Sequence, residues 1–223
     1  MERTKLCDRK LPDYTHGEEL FNMISHITGA ALGIVALVLC VLFAAAHNNV
    51  FSVVSSAVYG ASLIMLYTMS SVYHGLRPNM AKRVMQVIDH CTIYFLIAGT
   101  YTPILLCAVR KISPALAWIL FGVVWGVSAI ATVFTAIDLK KYSKLSMVCY
   151  IGIGWVIVLA AKTTYQAIGA GGFAFLLIGG IFYTVGAVLY GLGKKRRYMH
   201  SVFHLFVVAG SMMHFFCIFF YVI

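Results

Sequence analysis

Lys194-Lys195-Arg196-Arg197-Tyr198-Met199-His200-Ser201-Val202-Phe203-His204 opens the last apolar run of the chain, and its reading decides the kind of fold. Four cations come first, then two histidines, then an almost unbroken apolar stretch to Ile223. About 20 apolar residues closed by cations are enough to cross a bilayer as one helix. On such a helix, His200 and His204 lie about 40° apart around the axis and one turn apart along it, so both imidazoles can reach one point. An ionisable side chain inside a membrane segment is costly to bury, which makes the pair a candidate for function.

The same grammar of apolar run and short basic stop repeats along the chain. With 61% hydrophobic and 11% charged residues in 223, the composition excludes a soluble globule. Seven segments of spanning length are marked by hydropathy, at about 24–46, 50–73, 87–109, 113–137, 145–161, 172–192 and 200–222. Each is apolar all round, and none shows the alternating strands of about 10 residues that a membrane barrel requires. The expected fold is an all-α integral membrane protein: a seven-transmembrane helix bundle in one domain (24–223), preceded by a short N-terminal segment (1–23). The first run is too long and too far in for a cleaved signal peptide, and no soluble domain is marked.

The net charge of +10 comes from short clusters between apolar segments, a positive-inside pattern and not a nucleic-acid face. The N-terminal tail with Arg3 and the second, fourth and sixth loops hold fourteen of the 17 Lys and Arg; Arg110, Lys111 and Lys162 lie opposite. That asymmetry places the N-terminus in the cytoplasm and the C-terminus outside. Six cysteines without CxxC spacing read as small interior residues. Gly29/Gly33 and Gly122/Gly126 are expected to let helices approach closely, and Pro103 to kink the third helix.

Measured from the cytoplasmic cations at about 1.5 Å per residue, His74 lies about 5 Å deep, Asp89 about 9 Å, and His200 and His204 about 5 and 10 Å. Three imidazoles and one carboxylate thus share a thin layer. Any one histidine alone reads as an interhelical hydrogen-bond donor. Their coincidence in depth on three helices favours a metal. Three His with an open fourth position form the ligand set of a catalytic zinc, which acidifies bound water, and a carboxylate such as Asp89 can take the proton. Ser70, one turn from His74, can orient its ring or polarise a substrate carbonyl. Glu18, Asn22 and His26 form an i, i+4, i+8 stripe entering the first helix at the same face, as flanking or gating residues. His90 is expected to face away from Asp89, His214 to make an interior polar contact about 21 Å along from His200, and His16 and His47 to be solvated.

Glu18-x-x-x-Asn22-x-x-x-His26, Ser70-x-x-x-His74 followed by Asp89, and His200-x-x-x-His204 resemble the three signature motifs of the progestin and adipoQ receptor family, whose short bacterial form is haemolysin III. The likeness covers nearly the whole chain from Glu18 onward. It implies a seven-helix bundle with an inside N-terminus and a Zn2+ near the cytoplasmic face. His74, His200 and His204 would be the ligands, with Asp89 acting on the water. Because the wider superfamily includes alkaline ceramidases, it also implies hydrolysis of a ceramide-like lipid amide. The short N-terminal segment points to the bacterial branch and so to a bacterial cell membrane, with membrane lipids as partners.

Three function classes follow. The first is a zinc-dependent intramembrane hydrolase of a lipid amide or ester. The second is a non-catalytic sensor or regulator of membrane state, in which metal pins helices together. The third is cytolysis, as the family name suggests, here expected to be indirect because the spans cannot be solvated. A G-protein-coupled type of receptor is disfavoured by the side of the N-terminus, and no pair of broken helices marks a transporter.

Overall fold

Buried residues in the first helix recur at Glu18, Asn22, His26, Gly29, Gly33, Ala36, Cys40 and Ala44, spacings of three or four that make one stripe along a helix. The stripe is polar at one end and small-sided beyond it, while Ile24, Ile27, Val35 and Leu42 on other faces stay exposed, as a lipid-facing helix surface requires. In the computed structural model, which describes residues 4–47, 49–192 and 196–223, this helix is α1 (His16–Ala46). Arg3, Lys194 and Lys195, three of the cations in the orientation argument, lie outside the described residues.

Seven principal helices follow one another, with no strand among the described residues: α1, α2 (Val50–Gly75), α3 (Met80–Pro103), α4 (Pro114–Ile137), α5 (Ser143–Gly154), α6 (Ala161–Leu192) and α7 (Met199–Tyr221). Six helical stretches among the described residues are long and apolar enough to cross a membrane, the fifth being the 50 residues of Ser143–Leu192. The starts are fixed by side chains that satisfy free backbone N–H groups: Thr15 with Glu18 in a capping box, Asn49 on Ser52, Asn79 on Lys82, and Pro114 in the first turn of α4.

Two boundaries differ from the hydropathy reading. The first helix begins at His16 and not near 24, because the capping box draws His16–Met23, with its two glutamates, into the helix. Glu18 and Glu19 therefore join Asp89 as acidic residues within the helices. The polar turn expected between 161 and 172 is helical instead, interrupted at Gly169 with φ 66 and ψ 179, a conformation that glycine alone adopts readily. A second break, at Gly154–Val156, passes into a 3₁₀ stretch (Val156–Ala160). The Tyr101 hydroxyl bridges that break, donating to the Gly154 carbonyl (2.8 Å) and accepting from the Ile157 N–H (3.0 Å).

α3, with its helical continuation to Ile112, is the central pillar and the most enclosed of the candidate spans. After Pro103 it continues as π-helical turns over Ile104–Val109, since proline supplies no N–H to the normal ladder. Thr100 and Thr102 turn their hydroxyls onto the Leu96 and Ala98 carbonyls, both at 2.8 Å. Gly29 and Gly33 meet α2 closely, and a Cβ at Gly29 would lie 2.5 Å from the Tyr67 ring. The Gly122/Gly126 pair differs from expectation: among the described residues nothing lies within 4 Å of a Cβ at either position, so no described helix packs there.

Candidate metal centre

α2 delivers His74 in its last turn, and α7 delivers His200 and His204 in its first two turns. Each follows from helical spacing: His74 continues the buried face of Tyr59, Leu63, Leu66, Tyr67 and Ser70, and His204 that of Ser201, Val207 and Ser211. The start of α7 is tied to α1, because the Tyr198 N–H donates to Glu18 Oε1 at 2.6 Å. That bond holds Tyr198 in a left-handed conformation (φ 61), which costs about 1–3 kcal/mol in a bulky residue unless its surroundings enforce it.

The three rings converge. His200 Nε2 lies 3.3 Å from His74 Nε2 and 3.0 Å from His204 Nε2, and one ring nitrogen from each histidine falls within 4.8 Å of the others. On the far side of the His74 ring, Nδ1 donates to Glu19 Oε2 at 2.6 Å. That contact puts the proton of a neutral His74 on Nδ1 and turns the Nε2 lone pair inward. Glu19 is itself held by Lys82 Nζ at 2.7 Å, and the buried ammonium also donates to the Leu76 carbonyl at 2.9 Å. Neutral imidazoles carry one N–H each, so three inward nitrogens cannot all be satisfied by one another. A cation shared by their lone pairs resolves the conflict, and by this test the residues fit a bound metal.

Around this core the expected residues take distinct places. Asn22 reaches to 3.5 Å from His74 Nδ1 and accepts from Ser201 at 2.7 Å, linking α1 to both histidine helices. His26 stacks on His204 with centroids 3.6 Å apart and meets Tyr67 edge-on, and neither of its nitrogens has a hydrogen-bond partner among the described residues. Ser70 is buried one turn from His74 on the same helix. Glu18 caps α1 and holds Tyr198; it contacts none of the three histidines. Asp89 is buried but does not belong to the converging group, its carboxylate lying 3.5 Å from His90 Nδ1. His214 bonds the Leu176 carbonyl at 3.1 Å, and His16 and His47 are exposed.

Two residues absent from the sequence reading stand at the site. Glu19 is one. The other is Tyr14, stacked on His200 with centroids 5.1 Å apart and 13° between planes, and 5.9 Å from the His74 ring. Burial pushes the Tyr14 phenol well above its ordinary range, and the charges of Tyr190, Tyr73, Glu19 and Asp89 push the same way.

The haemolysin-III related family profile matches residues 14–215. The chain belongs to the haemolysin-III related family. This haemolysin III-related chain is 39% identical over 206 residues to "Hemolysin-3" of Bacillus cereus, covering 92% of each chain. It is 37% identical over 208 residues to "Hemolysin-3 homolog" of Bacillus subtilis strain 168, covering 93% of this chain and 96% of that one. A more distant likeness, 25% identical over 198 residues, reaches the human "Monocyte to macrophage differentiation factor", covering 86% of this chain and 80% of that one. The family is the progestin and adipoQ receptor family that the motifs resemble, and its matched region includes every histidine of the centre.

Proposed function

We propose that this protein is a seven-span enzyme of the bacterial cell membrane that holds Zn2+ on His74, His200 and His204 and hydrolyses a lipid amide, ceramide-like in class, or an ester. The observation that carries the reading is the convergence of three ring nitrogens with a carboxylate fixing one ring from behind. Seven spans are supported by the Gly169 break, because 50 continuous helical residues would extend about 75 Å, more than twice the hydrocarbon thickness. The excess of Lys and Arg at the end that carries the histidines supports a cytoplasmic N-terminus and an external C-terminus.

When bound, zinc supplies a Lewis acid that polarises a carbonyl and lowers the pKa of water. The chain's residues supply the rest. Glu19 and Lys82 hold the His74 ring and its tautomer. Asp89 accepts the proton from the attacking water and returns it to the leaving amine or alcohol. Ser70 donates a hydrogen bond to the substrate carbonyl oxygen, and the rings of Tyr14, Tyr73 and Tyr190 wall the histidines from bulk water.

The test is Asp89→Asn assayed against a panel of ceramides and lipid esters in detergent. The reading expects wild-type metal content with turnover reduced at least about 100-fold, the scale of general acid–base assistance. Wild-type turnover in Asp89→Asn refutes the assigned role. The distance of Asp89 from the histidine cluster favours one second reading, in which metal pins α2 to α7 in a regulator of membrane state. That reading expects no turnover by the wild-type protein and a loss of folding stability in any His→Ala variant.

A further inference from the structure

The segment before α1 takes a course that helix packing does not require. Thr4 donates its backbone N–H to Asp138 Oδ2 at 2.8 Å, and Arg9 donates from Nη2 to the Ile137 carbonyl at 3.0 Å, both at the turn after α4. The 3₁₀ turn Leu6–Asp8 between these anchors packs on α3. At its other end the segment is fixed by Thr15, which caps α1. Residues 4–15 therefore run across the histidine-bearing end of the bundle, from the α4–α5 turn over α3 to α1. Where the segment passes the site it lays Tyr14 flat on His200.

The anchors are specific to this crossing. Asp138 also accepts from the N–H groups of Lys140 and Lys141 at 3.1 and 3.0 Å, so its carboxylate is preorganised in the turn before Thr4 arrives. Arg9 is 6% exposed although it stands outside every helix, which shows how closely the segment is seated. Few bonds hold it, however. Each net hydrogen bond of this kind is worth about a factor of 2 to 13 in population. A segment held by two or three of them at one end opens far more often than the helices beneath it.

We propose that residues 4–15 form a strap that closes the histidine site, with Tyr14 as the residue that seals it over His200, and that substrate enters only when Thr4 and Arg9 leave Asp138 and Ile137. The geometry makes the strap a determinant of access and specificity. A ligand must displace a phenol ring stacked on an imidazole, which favours an acyl or amide group flat enough to take the place of the Tyr14 ring on His200. Opening needs no movement of α1, because the Thr15 cap stays in place while the segment before it lifts.

The inference rests on the site described above, but its test needs no bound metal. Metal-stripped protein in mild detergent is treated with diethyl pyrocarbonate, and the modification rate of each histidine is read by peptide mass spectrometry. Exposed His16 and His47 serve as references, and His214, buried against Leu176, reports any loss of folding. In Arg9→Ala/Asp138→Ala and in Tyr14→Ala, His200 is expected to react about tenfold faster or more, with His214 unchanged. A Thr4→Cys/Asp138→Cys tether, in a background where the exposed Cys7 is serine, is expected to slow His200 below wild type when oxidised and release it when reduced. Wild-type reactivity of His200 in both opened variants, or no response to the tether, overturns the strap. Zinc content measured on the same preparations before stripping, and again after zinc is added back, separates the two ideas: a protein that binds no zinc but obeys the tether loses the metal reading and keeps the strap.

Discussion

Replacing Glu19 with Gln removes one charge and leaves the side chain nearly unchanged in shape. The carboxylate makes two charge-assisted contacts, 2.6 Å to His74 Nδ1 and 2.7 Å to Lys82 Nζ. Loss of a carboxylate behind a metal-binding histidine costs about 10–100-fold in metal affinity, or about 1.4–2.7 kcal/mol. Lys82 adds a separate cost. Its ammonium is 3% exposed and would keep the Leu76 and His74 carbonyls and the face of the Tyr73 ring as partners, with no counter-charge. Removing one partner of a fully buried pair costs about 3–5 kcal/mol, and the 18% exposure of the Glu19 side chain places this pair below that range, at about 1–3 kcal/mol. The assay is competition for Zn2+ against a chromogenic chelator, with melting of the metal-free protein in parallel. The expected result is a Kd about 10–100 times weaker together with a lower melting temperature before any metal is added. The double variant Glu19→Gln/Lys82→Met should recover the melting temperature without recovering the affinity. Glu19→Gln with wild-type zinc affinity would refute the role of Glu19 in fixing His74.

Three further outcomes follow from the same contacts. Gly29→Leu drives a side chain into the Tyr67 ring and should cost about 1–3 kcal/mol of stability by melting, whereas Gly122→Ala meets nothing within 4 Å and should gain up to about 1 kcal/mol from helix propensity. The Asp138 carboxyl is held below its ordinary 3.8 by the Lys141 N–H first, against opposing burial, then by the Thr4 N–H and the Arg9 charge. Its contribution is therefore complete above about pH 3.8 and is lost as pH falls through the lower folded value; the melting-temperature gap between wild type and Asp138→Asn should be constant from pH 7 to 4 and shrink below. Single cysteines at Lys162 and Ala170 should be labelled by an impermeant maleimide from outside intact cells, and one at Lys144 should not, if Ser143–Leu192 crosses twice.

The sequence carries part of this site openly because part of it is local. His200 and His204 need only helical periodicity to be placed together, and His74 needs only its distance from the nearby cations. Glu18, Asn22 and His26 share one stripe and do face inward. Glu19 sits about 100° around from Glu18, off that stripe, and its contact with His74 depends on how α1 and α2 rotate against each other, which hydropathy does not encode. Tyr14 is placed by anchors more than 120 residues away in the chain, so no spacing announces it. One missed signal was readable: Thr15-x-x-Glu18 has the form of a capping box and marks the start of α1 eight residues before the apolar run. Gly169 was legible only as one glycine among Gly169, Gly171 and Gly172, because its positive φ is a property of the bundle.

The most direct measurement is the metal content of the gently purified protein by elemental analysis, beside the His200→Ala/His204→Ala variant. The account predicts about one zinc per chain in the wild type and none in the variant, with both folded by circular dichroism. A folded wild-type protein that holds no zinc after exposure to it would contradict the central claim, and the three histidines would then be polar contacts between α2 and α7.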